Sequence, residues 1–184
     1  MDTKENPNNW PVWANESVEI VNANPDWQDK GRCEEQQLYE LLAPLGISKV
    51  IHIGSTSIPG LPAKPIIDLM AEIESFNRVL DILAELAVYN WHYVSPELDE
   101  KPWRRFFVKV KNNRRVAHLH LMVKGTEQWE HQLLFRNRLR ENPQLVYDYS
   151  NLKQDLAKRF NQDREAYTKA KTEFIKQVLK RCNL

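Results

Sequence analysis

Short apolar runs closed by glycine, proline or asparagine recur through the middle of the chain, and they predict strands rather than long buried helices. A continuous run over 50–53 stops at Gly54-Ser55-Thr56-Ser57, which reads as a buried strand entering a turn of small residues. Pro59, Pro62 and Pro65 then restrain the backbone until 66–72, a second strand with apolar residues on both faces. Further strands are expected at 91–94, 104–110 and 116–123, the last two joined by a hairpin turn at Asn112-Asn113. A short strand over 18–21 is also expected, and the sheet is mixed.

Helical spacing brackets these strands. Asn24-Pro25-Asp26 offers capping chemistry for a helix running to about Leu42, stopped by Pro44 and Gly46, with Leu38, Leu41 and Leu42 toward the core. Phe76, Val79, Leu80, Leu83 and Leu86 mark an amphipathic helix that ends before Asn90. From Thr126 onward the pattern is helical, with Trp129, Leu133 and Leu134 in one helix and a break at Asn142-Pro143. One long helix then starts near Asn151, its stripe formed by Leu152, Leu156, Phe160, Tyr167, Phe174, Val178 and Leu179. The expected architecture is an α/β (α+β) domain over 18–184, with a core at about 47–125, a helical part at 126–184 and an arm at 1–17 carrying Trp10 and Trp13.

Composition narrows the classes. A chain of 184 residues with 42% hydrophobic and 28% charged residues can bury its own core, which argues against disorder or a fibrous protein. The net charge of +1 supplies no global field, so nucleic-acid and membrane partners are disfavoured. Cys33 and Cys182 form no CxxC or ligand cluster, which fits reduced thiols in a cytoplasm. The polar start has no apolar signal region, and nowhere do about 18 apolar residues run together.

The period of two along a strand puts Asp68, Met70 and Glu72 on one face of the second strand. It puts His118, His120 and Met122 on one face of the last. If the strands are neighbours, Asp68 and both histidines converge on a divalent ion or a reacting group. Each has a plain counterpart: a satisfied buried aspartate, and half-exposed histidines on a polar face. His52, in an apolar strand, reads as structural. Gly54 and Ser55 bring backbone N–H groups near a phosphate, with hydroxyls from Ser55, Thr56 and Ser57 beside them, and Lys64 adds a cation or is a solvated loop lysine. The stretch 101–115 holds seven basic residues and no acid; Arg105, Phe107 and Lys109 share a face able to hold polyphosphate or single-stranded nucleic acid, although a solvated hairpin is favoured.

The run from His52-Ile53-Gly54-Ser55-Thr56-Ser57 through Pro59-Gly60-Leu61-Pro62-Ala63-Lys64-Pro65 to Ile66-Ile67-Asp68-Leu69 resembles the signature of the GrpB-like family, also called UPF0157, which is placed in the nucleotidyltransferase superfamily. The likeness continues at His118-Leu119-His120, at 133–140, and through Leu152-Lys153 to Tyr167, Lys171 and Phe174-Ile175. It implies a mixed sheet flanked by helices, a Gly-Ser turn after the first core strand, and acidic metal ligands on the next. Gly54, Ser55 and Asp68 match that pattern, while Met70 stands at the second acidic position and the later strand offers histidines. One Asp with two His suits Mn²⁺ or a transition ion better than Mg²⁺. The resemblance implies a nucleotide or phosphorylated small molecule as ligand, a divalent metal, Mg or Mn, as cofactor, and nucleotidyl or related phosphate-dependent transfer as activity. Asp68, His118 and His120 are the expected catalytic and metal residues; Gly54, Ser55, Thr56, Ser57, Lys64, Arg105, Arg136, Lys153, Tyr167 and Lys171 are expected to bind phosphate or nucleotide. Two alternatives stay open: a non-catalytic nucleotide-binding or regulatory module, and an RNA-binding protein using the basic hairpin.

Overall fold

The computed structural model describes residues 11–160 and 162–180. The helix expected after Asn24 is α1 (Asp26–Leu42), with the Asn24 side chain accepting from the Asp26 N–H at 2.9 Å. A short 3-10 turn at Ala43–Leu45 and a left-handed Gly46 end it. Then come β1 (Lys49–Ile53), β2 (Ile67–Ile73), α2 (Val79–Ala87), β3 (Trp91–Val94), the one-turn helix α3 (Pro96–Asp99), β4 (Arg104–Lys111) and β5 (Arg114–Val123). The chain closes with α4 (Glu127–Glu141), α5 (Pro143–Arg159), α6 (Arg164–Ala170) and α7 (Thr172–Lys180).

The five strands form one mixed sheet in the order β1-β2-β5-β4-β3. Only β2 and β5 are parallel; every other pair is antiparallel. One face packs under α1 and α2: Leu69, Ala71, Phe107, Leu119 and Leu121 are fully buried there with Leu38, Leu42, Ile82 and Leu86. On the other face, Ile53, Met70 and Met122 pack against Trp129 of α4. Asp68, His118 and His120 stand on that same face, with Asp68 beside Ile53 and His120 beside Met70 in the strand register. The helices α5 and α7 close against the loop after the Gly54–Ser57 turn through Ile58, Leu61, Tyr149 and Val178. The whole is a mixed sheet flanked by helices, as expected.

Several expectations change. Residues 18–21 make a single bridge, Val21 to Ala63, and no strand. The strand β1 lies at the sheet edge, so only His52 and Ile53 are buried in it. Leu80 is 77% exposed; Ile82 takes the core position on α2. The long helix near Asn151 is three helices. Asn142 caps α5, accepting from the Gln144 and Leu145 N–H groups, so the Asn-Pro pair starts a helix at once, with Pro143 in its first turn. Asp163 caps α6 in the same way through the Ala166 N–H. Of the expected arm, residues 1–10, including Trp10, lie outside the described residues, as does Cys182; Trp13 packs on His92 with ring centroids 5.3 Å apart. Among the described residues no helix is long and apolar enough to cross a membrane.

Candidate functional site

The parallel register of β2 and β5 sets Asp68 beside His118 and Met70 beside His120. Because side chains alternate, Asp68 and both imidazoles therefore leave the sheet on one face. His118 Nδ1 donates to Asp68 Oδ1 at 2.8 Å, and His120 Nε2 stands 3.8 Å from the same oxygen. One ligand atom from each of the three lies within 4.8 Å of the other two. Burial would raise the Asp68 pKa, but hydrogen bonds and charge from His118 and His120 outweigh it and hold the carboxyl well below its ordinary range.

Gly54 adjoins this carboxylate. Its φ of +68° belongs to the region that glycine tolerates, and a Cβ on it would stand 2.5 Å from Asp68 Oδ2. The small-residue turn and the acid are thus one construction. Ser57 Oγ donates back to the Gly54 carbonyl at 2.7 Å, and Thr56 Oγ1 bridges the Ile66 carbonyl and His52 Nε2. Thr56 and Ser57 are buried in the turn's own bonds; Gly54 and Ser55 are half-buried and form the part nearest Asp68. His52 is structural, as expected: burial above all pushes its pKa down to about 4, and it sits against Gly31 of α1, where any Cβ would strike its ring.

Two residues that the motif does not carry complete the constellation. Arg104 donates to His120 Nδ1 and holds Asp99 through Nε at 2.8 Å, the pair almost wholly buried. Phe106 packs against both imidazoles, with centroids 5.1 and 5.2 Å away. An arginine only donates, so Nδ1 of His120 accepts and its proton sits on Nε2, toward Asp68. Burial first, then the Arg104 charge, pushes the His120 pKa down to about 4.

Lysines gather on the helical side. Lys64 and Lys171 lie over the Tyr167 ring at 4.9 and 4.4 Å, and Lys153 lies 5.1 Å from the Tyr149 centroid while its ammonium donates to the Pro62 carbonyl. Lys153 is 2% exposed. Burial and the charge of Lys171 bring its pKa down to about 7, with Asp68 pulling it up and Lys64 pushing it down. The expected set of Lys64, Lys153, Tyr167 and Lys171 is therefore brought together, with Lys153 within electrostatic range of Asp68.

Arg105 and Arg136 are not brought to this group of residues. A bulge between Lys109 and Val110 shifts the hairpin register, placing Phe106 opposite His120 and turning Arg105 to the far face, over the Phe76 ring at 4.1 Å. Without the bulge, the two-residue turn at Asn112-Asn113 would have set Arg105 opposite His120. Arg136 reaches the edge of β1, donating to the His52 carbonyl at 2.9 Å. The basic hairpin is also compensated: Lys109 pairs with Glu34, Arg104 with Asp99, and Arg115 donates to the carbonyls of Trp13 and Ala14. Met70 is fully buried among Ile53, Met122 and Trp129, and Ser48 donates to Glu72 at 3.2 Å farther along the strand.

A family model described as GrpB protein matches residues 17–181. The chain is 33% identical to the UPF0157 protein YqkA of Bacillus subtilis over 90% of this chain, spanning 47% of that protein, and 33% identical to the UPF0157 protein PA4798 of Pseudomonas aeruginosa, spanning 70% of it. A dephospho-CoA kinase of Mycobacterium tuberculosis is 27% identical over 86% of this chain, which spans 44% of it. Among solved structures, the conserved protein GrpB from Enterococcus faecalis superposes with a TM-score of 0.79 at 32% identity, covering 89% of this chain and 96% of that one. A cytoplasmic RNA terminal U-transferase superposes at 0.51 with 13% identity, covering 80% and 44%, a likeness of fold alone.

Proposed function

A chain matched by the GrpB model from residue 17 to residue 181 belongs to the GrpB family, and on that premise we propose that it binds a nucleotide or a related phosphorylated small molecule together with a divalent metal and catalyses nucleotidyl or related phosphate-dependent transfer, in the cytoplasm and through one domain running from residue 18 onward. The convergence of Asp68, His118 and His120 within 4.8 Å carries this reading. One carboxylate and two imidazoles suit Mn²⁺ or a transition ion more than Mg²⁺. Bound there, the ion would neutralise phosphate charge and polarise a phosphoryl oxygen. Lys64, Lys153 and Lys171 supply cations for phosphate oxygens, and Gly54 and Ser55 supply the turn beside the carboxylate.

The same geometry adds one condition. An ion between the three residues takes the place of the protons that the two rings present to Asp68, so each neutral ring must carry its proton on its other nitrogen. For His120 that nitrogen is the acceptor of Arg104. Arg104 therefore opposes metal binding in the arrangement observed, and the ion requires it to withdraw.

A second reading, a module that binds nucleotide without transferring it, is favoured by Met70. A methionine buried among apolar side chains offers no second carboxylate beside Asp68. Titration of nucleoside triphosphates with Mn²⁺, followed by assay of pyrophosphate, separates the two. Binding with pyrophosphate release supports transfer; binding without release across acceptors supports the module; no binding removes both.

A further inference from the structure

A cleft of about 630 Å³, not lined by Asp68, opens between α1, α4 and the start of α5, a volume typical of small-molecule sites. Its floor is the β1 edge and the turn after it, whose backbone groups side chains already satisfy. Glu35 accepts from the His52 N–H, and Arg136 donates to the His52 carbonyl at 2.9 Å. Arg140 donates to the Ser57 carbonyl through Nε at 3.0 Å and Nη2 at 2.7 Å.

Two guanidiniums one helical turn apart are thus pinned by neutral carbonyls rather than by carboxylates. Burial first, and then the neighbouring Arg140 charge, lowers the Arg136 pKa, while the Glu35 charge opposes them. Arg32 lines the cleft from α1, and its ionic partner, Asp29, is highly exposed, so that pairing is weak. Among the lining residues Glu35 is the one carboxylate against three arginines. The excess of two positive charges matches the near-dianionic charge of a phosphate monoester better than a single carboxylate. Beside the arginines, Pro59, Leu139, Pro143 and Val146 give the cleft an apolar wall.

We propose that this cleft is a second ligand site, binding a phosphate monoester whose apolar group lies on the proline, leucine and valine wall. The N–H groups of Arg136 and Arg140 not taken up by Asn137 and by the His52 and Ser57 carbonyls, together with Arg32, meet the phosphate oxygens. Because Arg136 and Arg140 hold the carbonyls on either side of Gly54, an occupant here bears on the turn that adjoins Asp68. The site needs no metal and does not rest on the function proposed above.

Calorimetric titration of the full chain with n-butyl phosphate in the presence of EDTA tests it. Binding should persist in Asp68→Ala and Lys153→Met and weaken about tenfold in Arg32→Gln and in Arg140→Gln. Arg32 makes no bond to the turn, so its variant keeps the braces intact should Arg140→Gln fail to fold. Absence of binding, or unchanged affinity in Arg32→Gln and Arg140→Gln, overturns the site. Loss in Lys153→Met instead assigns the phosphate to the Asp68 cleft and overturns it equally, and pentanoate binding as tightly as butyl phosphate overturns the phosphate assignment. Manganese binding is read separately and decides only the other cleft.

Discussion

Gly54 and Asp68 stand so close that one methyl group on the glycine would lie 2.5 Å from the Oδ2 atom of the aspartate. The turn thus fixes where the carboxylate sits, through contact and without a hydrogen bond between the two residues. Gly54→Ala combines that clash with a left-handed φ, and it should lower stability by about 1–3 kcal/mol. Thermal unfolding measures the loss, and a Tm equal to that of the parent chain would show that the aspartate is free to move aside.

Arg104 sets the proton position on His120. Removing its donor by Arg104→Met should raise Mn²⁺ affinity about tenfold, roughly 1.4 kcal/mol, because Nδ1 of His120 is then free to carry the proton that metal ligation sends there. Isothermal titration with MnCl₂ reads the change. Weaker binding in the variant would mean that Arg104 supports the metal site.

Lys153 gives a pH dependence of known sign. Its folded pKa of about 7 lies below the ordinary lysine value, so its charge costs stability below pH 7, and the cost is relieved as pH rises from about 7 toward 10.5. A phosphate ligand that needs the ammonium should therefore take up close to one proton at pH 8 and almost none at pH 6. Calorimetry of triphosphate binding in two buffers of different ionisation enthalpy counts these protons, and no uptake at pH 8 would place the phosphate elsewhere.

His52 acts in the acid range. It is held neutral to about pH 4 in the fold, whereas the unfolded chain takes up its proton near pH 6.5. Its contribution to stability, about 3 kcal/mol at most, is lost as pH falls from about 6.5 through 4. Denaturant midpoints across that window should fall less steeply for His52→Asn than for the parent chain.

Much of the sheet was legible because each strand is short, apolar and closed by a turn residue. The Asn112-Asn113 hairpin was equally plain, since both asparagines take positive φ. The face of β4 was not legible: one bulge at Lys109/Val110 reverses its parity, and no glycine or proline marks it. Hence Arg104, the residue that engages His120, was passed over for Arg105. The terminal helices were misread for another reason. Leu145 and Tyr149 already continue the stripe of Leu152 and Leu156 toward the N-terminus, but the Asn142-Pro143 pair was read as an interruption when it was a beginning. For the candidate site, strand alternation put Asp68, His118 and His120 on matching faces, but only the parallel pairing of β2 with β5 brings them together.

Electron paramagnetic resonance of Mn²⁺ mixed with the full chain, with and without a nucleoside triphosphate, tests the central claim most directly. One bound ion per chain is expected, held more tightly with the triphosphate, and weakened at least tenfold in Asp68→Ala and in His118→Ala. Free Mn²⁺ signals that stay undiminished by the parent chain, or bound ions that persist equally in both variants, would contradict it.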